Sequence, residues 1–595
     1  MKKIKALLAA FRQVPVLFRL VYQTDKPYLF FMLFETVAFA LIPYPATLLV
    51  KYAFDALENG IPFSRFAAIC SALILTGFVL SVLKSYFNRI RPGRTSLVVG
   101  KLYSAFHKKS MEMDYELLAE KETQELQNFA GRFISRMLSN TVWNFVSLFS
   151  SVVAFLISCL MISYVDALLI LVILAGLMLD SLLAACLIPV RTKLNTAIME
   201  IDRRLKYFDE TATNDTAAKD IRLFHLSLPL RQRMEGYAQN KQHLESRKEF
   251  YSNLQGILSN LLSHGVDFAV YAILGYSVLK NTLSLGSFSL AVSNILLFRT
   301  YFAKISGVLV GYSETAKYLE YYNKFMAIES KFRKTGHMLP LLSETEPFTI
   351  EFRDVSFRYP GQNEYVLRHF NLIIHSGEKI AIIGENGAGK STFVKLLMRL
   401  YDPTEGEVLV NGVNILNYDY DQYLSLFAPV FQDYKLFAFT IGENISSFDE
   451  AELHEISSAA EKAGIAQRIE QSEAGYDTYF TKQFDEAGVE FSGGEQQKIA
   501  LARACFKNNA KITILDEPTS ALDPRAEHQL YERFSKLIGN NTAFFISHRL
   551  ASAIFCDKVL VIKDQSVFEY GSHDELIAKK GYYHELYHMQ SDYYV

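Results

Sequence analysis

Between residues 144 and 190 there is no Lys or Arg, and Asp166 and Asp180 are the only charges. A helix rises about 1.5 Å per residue, so this run crosses a hydrocarbon layer of about 30 Å twice. Helices of a water-soluble core are neither this long nor this uniformly apolar. Similar runs lie at 27–50, 66–83, 252–279 and 282–311. With a tight turn at Tyr164-Val165-Asp166, the pattern predicts six spanning helices, all before residue 320.

Basic residues set the orientation. The short connections near 55–65, 164–166 and 280–285 hold few Lys or Arg. The long ones hold Arg89, Arg91, Arg94, Lys101, Lys108 and Lys109, and then Arg191, Lys193, Arg203, Arg204, Lys206, Lys219 and Arg222. Cationic connections stay in the cytoplasm. The N-terminus and both long connections are therefore expected there, in an integral protein of a bacterial cytoplasmic membrane. Residues 1–26 read as a basic amphipathic helix lying on the membrane surface, since LLAAF is too short for a signal peptide. Where the long connections enter the spans, at LSNTVWNFVSLF and ESRKEFYSNLQGIL, there is no Pro, and Gly256 is the one Gly. They read as helices running on beyond the bilayer, with short cross-pieces at 113–127 and 214–228. The net charge of -2 gives no electrostatic case for nucleic acid. The five cysteines are scattered, without metal or disulfide spacing, and read as buried small hydrophobes.

At 595 residues the chain exceeds one hydrophobic core. The transmembrane part is assigned to 27–320 and a polar linker to 321–347. From 348 to the end the pattern is that of an α/β domain. FTIEFRDVSFRY alternates with period two and slips phase at Arg353-Asp354, as a bulged strand does. KIAIIG is a short buried strand, and GENGAGKS, residues 384–391, follows it and opens the helical pattern STFVKLLMRLY. Strand, glycine-rich loop and helix are the context of a phosphate-binding loop. Gly387 and Gly389 let backbone N–H groups close on phosphate oxygens. Lys390 would bridge the β- and γ-phosphates and Ser391 would hold Mg²⁺. In ITILDEPTSALD, Asp516 ends a buried strand and is placed for Mg²⁺, and Glu517 is placed to deprotonate an attacking water. FSGGE, residues 491–495, opens a second helix with a hydroxyl and two small backbones, which is another anion cradle.

These motifs resemble the ATP-binding cassette (ABC) transporters. GENGAGKST, Gln432 in VFQDY, FSGGEQQ, ILDEPTSALD and His548 in FISHRL stand in the family's order. Six spans before one cassette resemble its exporter-type half-transporters, so the likeness covers essentially the whole chain. The implied architecture is an all-α six-helix transmembrane domain with long cytoplasmic extensions, followed by an α/β P-loop NTPase cassette. The resemblance implies that ATP contacts Gly384, Glu385, Asn386, Gly387, Ala388, Gly389, Lys390, Ser391 and Thr392, with Tyr359 stacked on adenine. Gln432 would sense Mg²⁺ and water, His548 would hold the γ-phosphate, and Asp523 would lie at the cassette interface. It also explains two cradles in one domain. Cassettes pair head to tail, so Ser492, Gly493, Gly494 and Glu495 face the nucleotide of a second half-transporter. Phe491 and Glu495 depart from the family's usual Leu and Gln. DTAAKDIRLFHL resembles the second segment that couples spans to cassette.

The implied activity is ATP hydrolysis coupled to export of an amphipathic drug, lipid or peptide by a homodimer or heterodimer. An importer built on the same membrane half, and an ATP-gated channel or sensor, remain open at this point. Ionisable residues inside spans mark candidate substrate paths: Glu35, Asp180, His264, Asp267 and Arg299. An internal Asp–Arg pair that only fixes helix packing is the alternative.

Overall fold

The computed structural model describes residue 19 and residues 21–332, 347–516, 539, 541–546 and 550–592. The chain divides into two compact units. One holds Met1–His107 and Phe129–Asn323, the other Lys108–Asn128 and Lys324–Val595. The division departs from linear boundaries at 320 and 348, because the segment 108–128 belongs with the C-terminal unit.

The first unit is helical. Its elements are α1 (Lys26–Leu41), α2 (Tyr44–Glu58), α3 (Phe63–Met111), α4 (Tyr115–Ala119), α5 (Lys121–Arg132), a π-helical turn (Phe133–Met137), α6 (Leu138–Val165), α7 (Ala167–Thr213), α8 (Asp215–Leu223), α9 (Ser227–Leu279) and α10 (Leu285–Ala327); α4, the first part of α5 and the ends of α3 and α10 fall to the second unit. Among the described residues, Lys26–Glu58, Phe63–Met111, Trp143–Val165 and Ser227–Leu279 are long and apolar enough to span a membrane. The expected runs at 167–190 and 282–311 fall on α7 and α10, some of whose side chains lie outside the described residues. Helices α3, α7 and α9 have 49, 47 and 53 residues. By helical rise each is about 70–80 Å long, far more than the bilayer needs.

Local chemistry sets the breaks. The first span is interrupted at Ile42-Pro43, where proline cannot donate into the ladder. Asp166 caps α7, its carboxylate accepting from the Leu168 N–H at 2.8 Å, which makes the tight turn after Val165. Short helices α4 and α8 form the two cross-pieces. The last long helix continues to Ala327, so 321–327 is not linker. Aromatic contacts hold it: Phe129 stacks on Tyr321 at 4.8 Å and Phe133 lies 5.6 Å from Tyr322. Residues 333–346 of the expected linker, and 1–18 and 20 of the expected surface helix, lie outside the described residues. All five cysteines are free thiols, Cys186 exposed and the others half-buried rather than buried.

In the second unit β1 (Thr349–Phe357), β2 (Leu367–His375), β4 (Glu405–Val410) and β5 (Val413–Asn414) form an antiparallel sheet ordered β2-β1-β4-β5. The register of β1 shifts between Phe352 and Val355, with Asp354 at φ 52°, which is the expected bulge. A six-stranded sheet runs β10-β9-β3-β8-β7-β6, with β3 (Lys379–Ile383), β6 (Phe427–Val430), β7 (Ile512–Asp516), β8 (Thr542–Ile546) and β9 (Lys558–Lys563) parallel and β10 (Ser566–Gly571) antiparallel at the edge. Buried on both faces, the parallel strands read as continuous apolar runs. Helix α11 (Lys390–Leu397) packs Phe393 against Phe352, Phe370 and Phe544, joining both sheets in one core. A second apolar cluster gathers α12 (Leu453–Ala463), α13 (Ala466–Glu470) and α14 (Gly493–Phe506) against Val430, Leu515 and Phe545.

Candidate functional site

The parallel strands bring most of the motif residues to one edge. Ile382 of β3 and Asp516 of β7 each pair with Ile546 of β8, so these three stand abreast. Val430 of β6 pairs with Leu515. Gly384 and Gln432 therefore follow directly from the carboxyl ends of β3 and β6, on the same edge as Asp516. Open α/β sheets bind ligands at that edge, where helix N-termini also point.

The loop after β3 is shaped for an anion. Gly387 and Gly389 have φ of 84° and 104°. At Gly389 a Cβ would also meet Leu367 Cδ2 at 2.7 Å, so neither the backbone nor the space admits a side chain. Gly389 caps α11 in a left-handed conformation, the backbone form from which anion-binding nests are built. Lys390 is 7% exposed, and its ammonium donates to the carbonyls of Gly384 at 2.7 Å and Glu385 at 3.0 Å. The charge is thus held at the mouth of the loop. Tyr582 donates to the Glu385 carboxylate at 2.6 Å and tethers the loop's tip.

Tyr359 lies beside this loop, its hydroxyl 2.9 Å from that of Thr392. Its ring meets Tyr401 edge-on at 5.3 Å, and Tyr401 meets Tyr115 of α4 at 5.7 Å. Asp114, just before α4, accepts from the Lys331 N–H at 2.6 Å and from the Ser330 hydroxyl. The first cross-piece is thereby fixed to the cassette's own unit, three rings from the phosphate loop.

The second cradle is a capped helix start. Ser492 caps α14 and accepts from the Glu495 N–H, while Glu495 Oε2 accepts from the Ser492 N–H at 2.8 Å and hydroxyl at 2.9 Å. The other carboxylate oxygen accepts from Arg468 Nε at 3.1 Å. The Ser492 N–H holds the Glu495 carboxyl below the usual carboxylate range; burial, the next largest effect, opposes it, and the Ser492 hydroxyl and then Arg468 add smaller lowering effects. Arg468 also lies over the Phe491 ring at 5.2 Å. Both departures from the family pattern therefore touch one guanidinium. Arg468, 27 residues from Glu495 on another helix, belongs to no motif and left no signal in the sequence.

The ionisable groups of the spans fall into two sets. Glu35 is fully buried and pairs with Arg91 at 2.5 Å, and Arg91 lies over the Trp143 ring at 3.9 Å. This ties α1 to α3 and α6, and neither charge is left over. Asp267 pairs with Arg299 at 2.5 Å, with His264 3.8 Å away on the exposed side. Asp180 and Arg299 line a cavity of about 460 Å³ between α7, α9 and α10. Gly176 is needed there, because a Cβ would meet Val266 Cγ2 of α9 at 2.5 Å. Glu517, Asp523 and His548 lie outside the described residues.

Residues 28–302 match the family described as the ABC transporter transmembrane region, and residues 367–520 match that described as ABC transporter. The chain is 29% identical to the subtilin transport ATP-binding protein SpaT of Bacillus subtilis, over 97% of this chain and 94% of that one. It is 31% identical to an ATP-dependent lipid A-core flippase of Haemophilus ducreyi, over 56% of each. A bacterial Atm1-family ABC exporter solved with ATP bound shares the fold, at TM-score 0.77 and 22% identity over 95% of this chain and 99% of that one. With a helical transmembrane region and a nucleotide-binding domain joined in one polypeptide, the chain belongs to the ATP-hydrolysing ABC transporters.

Proposed function

We propose that the chain is one half of an ATP-driven exporter. The observation that carries this reading is the pairing, in one polypeptide, of spanning helices with two anion cradles built on separate apolar clusters. The loop 384–392 rests on the core around Phe393, and Ser492-Gly493-Gly494 on that around Ile499. Each cradle suits a different nucleotide. ATP then lies between the phosphate loop of one half and the Ser492 helix start of the other. The partner is a second copy or a related half-transporter in the same bilayer, and both cassettes and N-termini are cytoplasmic.

Within that arrangement Lys390 offsets charge developing on the β- and γ-phosphates, and the N–H groups of 387–391 hold the same oxygens. Tyr359 supports the adenine. Glu517 takes the proton of the attacking water, His548 fixes the γ-phosphate and Asp523 lines the contact between cassettes. The hydroxyl of Ser391, the amide oxygen of Gln432 and the Asp516 carboxylate form a hard oxygen donor set, which fits Mg²⁺. Bound there, Mg²⁺ would neutralise phosphate charge. Only the triphosphate engages both halves, so ATP closes the dimer and hydrolysis releases it.

The cargo is an amphipathic drug, lipid or peptide. Support comes from relatives described as a subtilin transport protein and a lipid A-core flippase. The test is uptake into inside-out vesicles. Cargo should accumulate with ATP and not with a non-hydrolysable analogue, and Glu517→Gln should trap a closed dimer that binds ATP and barely hydrolyses it. Accumulation only in right-side-out vesicles would overturn export.

A further inference from the structure

The cavity between α7, α9 and α10 has a charge inventory that does not close. Its polar wall is Asp180, Gln255, Ser259, Asn260, Ser263 and Arg299, and the rest is apolar. Arg299 is already matched by Asp267. The Gln255 carbonyl oxygen is taken by Arg191 at 3.0 Å. Arg191 itself is eleven residues along α7 from Asp180, about 16 Å by helical rise and too far to pair with it. His264, near Asp267, does not line the cavity. Asp180 is left. It lines the cavity as a residue, and its Oδ1, turned away from the accessible surface, has no hydrogen-bond partner.

Depth adds to this. Asp180 is fourteen residues past the turn at Asp166 and Arg299 fourteen past Leu285, so both lie about 21 Å in. Ser263, Asn260 and Ser259 are sixteen to twenty residues before Leu279, about 24–30 Å in from the same side. The polar wall from Asp180 to Ser259 thus occupies the inner half of the bilayer, with Gln255, about 36 Å in, just past its edge; in that half an unmatched carboxylate is costly and polar groups mark a path.

We infer that this cavity takes an amphipathic organic cation, with the Asp180 carboxylate opposite its ammonium or guanidinium group. The oxygens of Ser259, Asn260 and Ser263 are acceptors for the remaining N–H donors. The apolar wall around Ile173, Leu177 and Phe302 takes the hydrophobic part. Among the described residues that line it, an anionic cargo finds no free cation, because Arg299 is held by Asp267. The inference rests on the exporter reading only in calling this ligand cargo.

The test uses the assembled protein in lipid nanodiscs and two probes with the same fluorophore. Monodansylcadaverine carries a primary ammonium at neutral pH, and its N-acetyl derivative is neutral. Over empty discs, the amine should bind saturably and about tenfold or more tighter than the amide, as expected for a hydrogen-bonded buried charge pair. Asp180→Asn should remove that preference while leaving binding of the neutral probe intact, which also reports an intact cavity. Asp180→Glu should keep it. Equal affinity for the two probes, or an undiminished preference in Asp180→Asn, overturns the inference. Amine binding that survives without any ATP-dependent flux would count against export and leave the cation site standing.

Discussion

The two units handle polar groups in opposite ways. In the cassette they gather at strand and helix ends, where backbone N–H groups have no partner within the element and a ligand can supply one. In the transmembrane unit they lie along helix flanks, and side chains satisfy side chains. Tyr28 meets Thr95 at 2.8 Å, Tyr44 meets Ser158 at 3.0 Å, and Glu35 meets Arg91. Lipid offers no hydrogen bonds, so charges there are paired, although the second Glu35 oxygen, the Tyr52 hydroxyl and the Asn294 amide oxygen are buried without a partner. In such a unit an unmatched group such as Asp180 carries information, whereas in the cassette an unmatched backbone is the ordinary form of the site.

The comparison breaks most visibly at Lys390. Lys390→Ala removes the one cation built into the phosphate loop, and ATPase activity in liposomes should fall by about 10²–10³-fold, the scale of a lost preorganised charge contact. Phosphate release at saturating ATP measures it. A loss below about fivefold would mean that the loop is not the hydrolytic site.

That contrast also explains what could be read in advance. The loop 384–391, the bulge at Arg353-Asp354 and the turn at Tyr164-Val165-Asp166 each follow from a few neighbouring residues. The spans follow from composition alone. Partners do not. Arg91 is legible as a basic residue fixing topology, yet beside the nearby Asn88 its contacts are Glu35, 56 residues away, and Trp143. Asp267 and Arg299 were legible as a possible pair because both reach similar depth from one outer turn. Arg468 was not legible, since nothing local links it to Phe491 or Glu495. The start of the linker at 321 is not legible in sequence, because α10 runs to Ala327 with Tyr321 and Tyr322 held by Phe129 and Phe133, which are remote in the chain.

A second break lies in the membrane. Arg91→Met should destabilise the protein by about 3 kcal/mol, because it strands a fully buried carboxylate. Adding Glu35→Gln should restore most of the loss. Thermal unfolding in detergent with both variants checks it. If the double variant is as unstable as the single one, packing on Trp143 rather than charge holds these helices. Gly389→Ala is the cassette's counterpart and should cost about 2 kcal/mol, from a forced left-handed backbone and the contact with Leu367. Its effect should appear in ATP affinity as well as in melting, whereas the Arg91 variant should melt early and bind ATP normally.

The smallest effect is the most selective. Arg468 and Glu495 are 37% and 28% exposed, so their pair is a modest one, worth less than about 1 kcal/mol. Its importance is electrostatic, for Glu495 stands in the first turn of the helix that we propose faces the partner's nucleotide. With Arg468 beside it, that helix start stays attractive to an anion. Arg468→Gln should therefore raise the ATP concentration for half-maximal hydrolysis about threefold with little change in kcat, and Glu495→Gln in the same chain should reverse it. A pH series sharpens the point. The Glu495 carboxyl titrates below its ordinary 4.5, so its cap stabilises the fold fully above that pH and is lost as pH falls through the lowered value. Without Arg468 the lowering shrinks, so the variant's acid unfolding should begin at higher pH than that of the parent. Coincident acid transitions would show that Ser492 alone holds the carboxylate, and that the guanidinium serves only to cover Phe491.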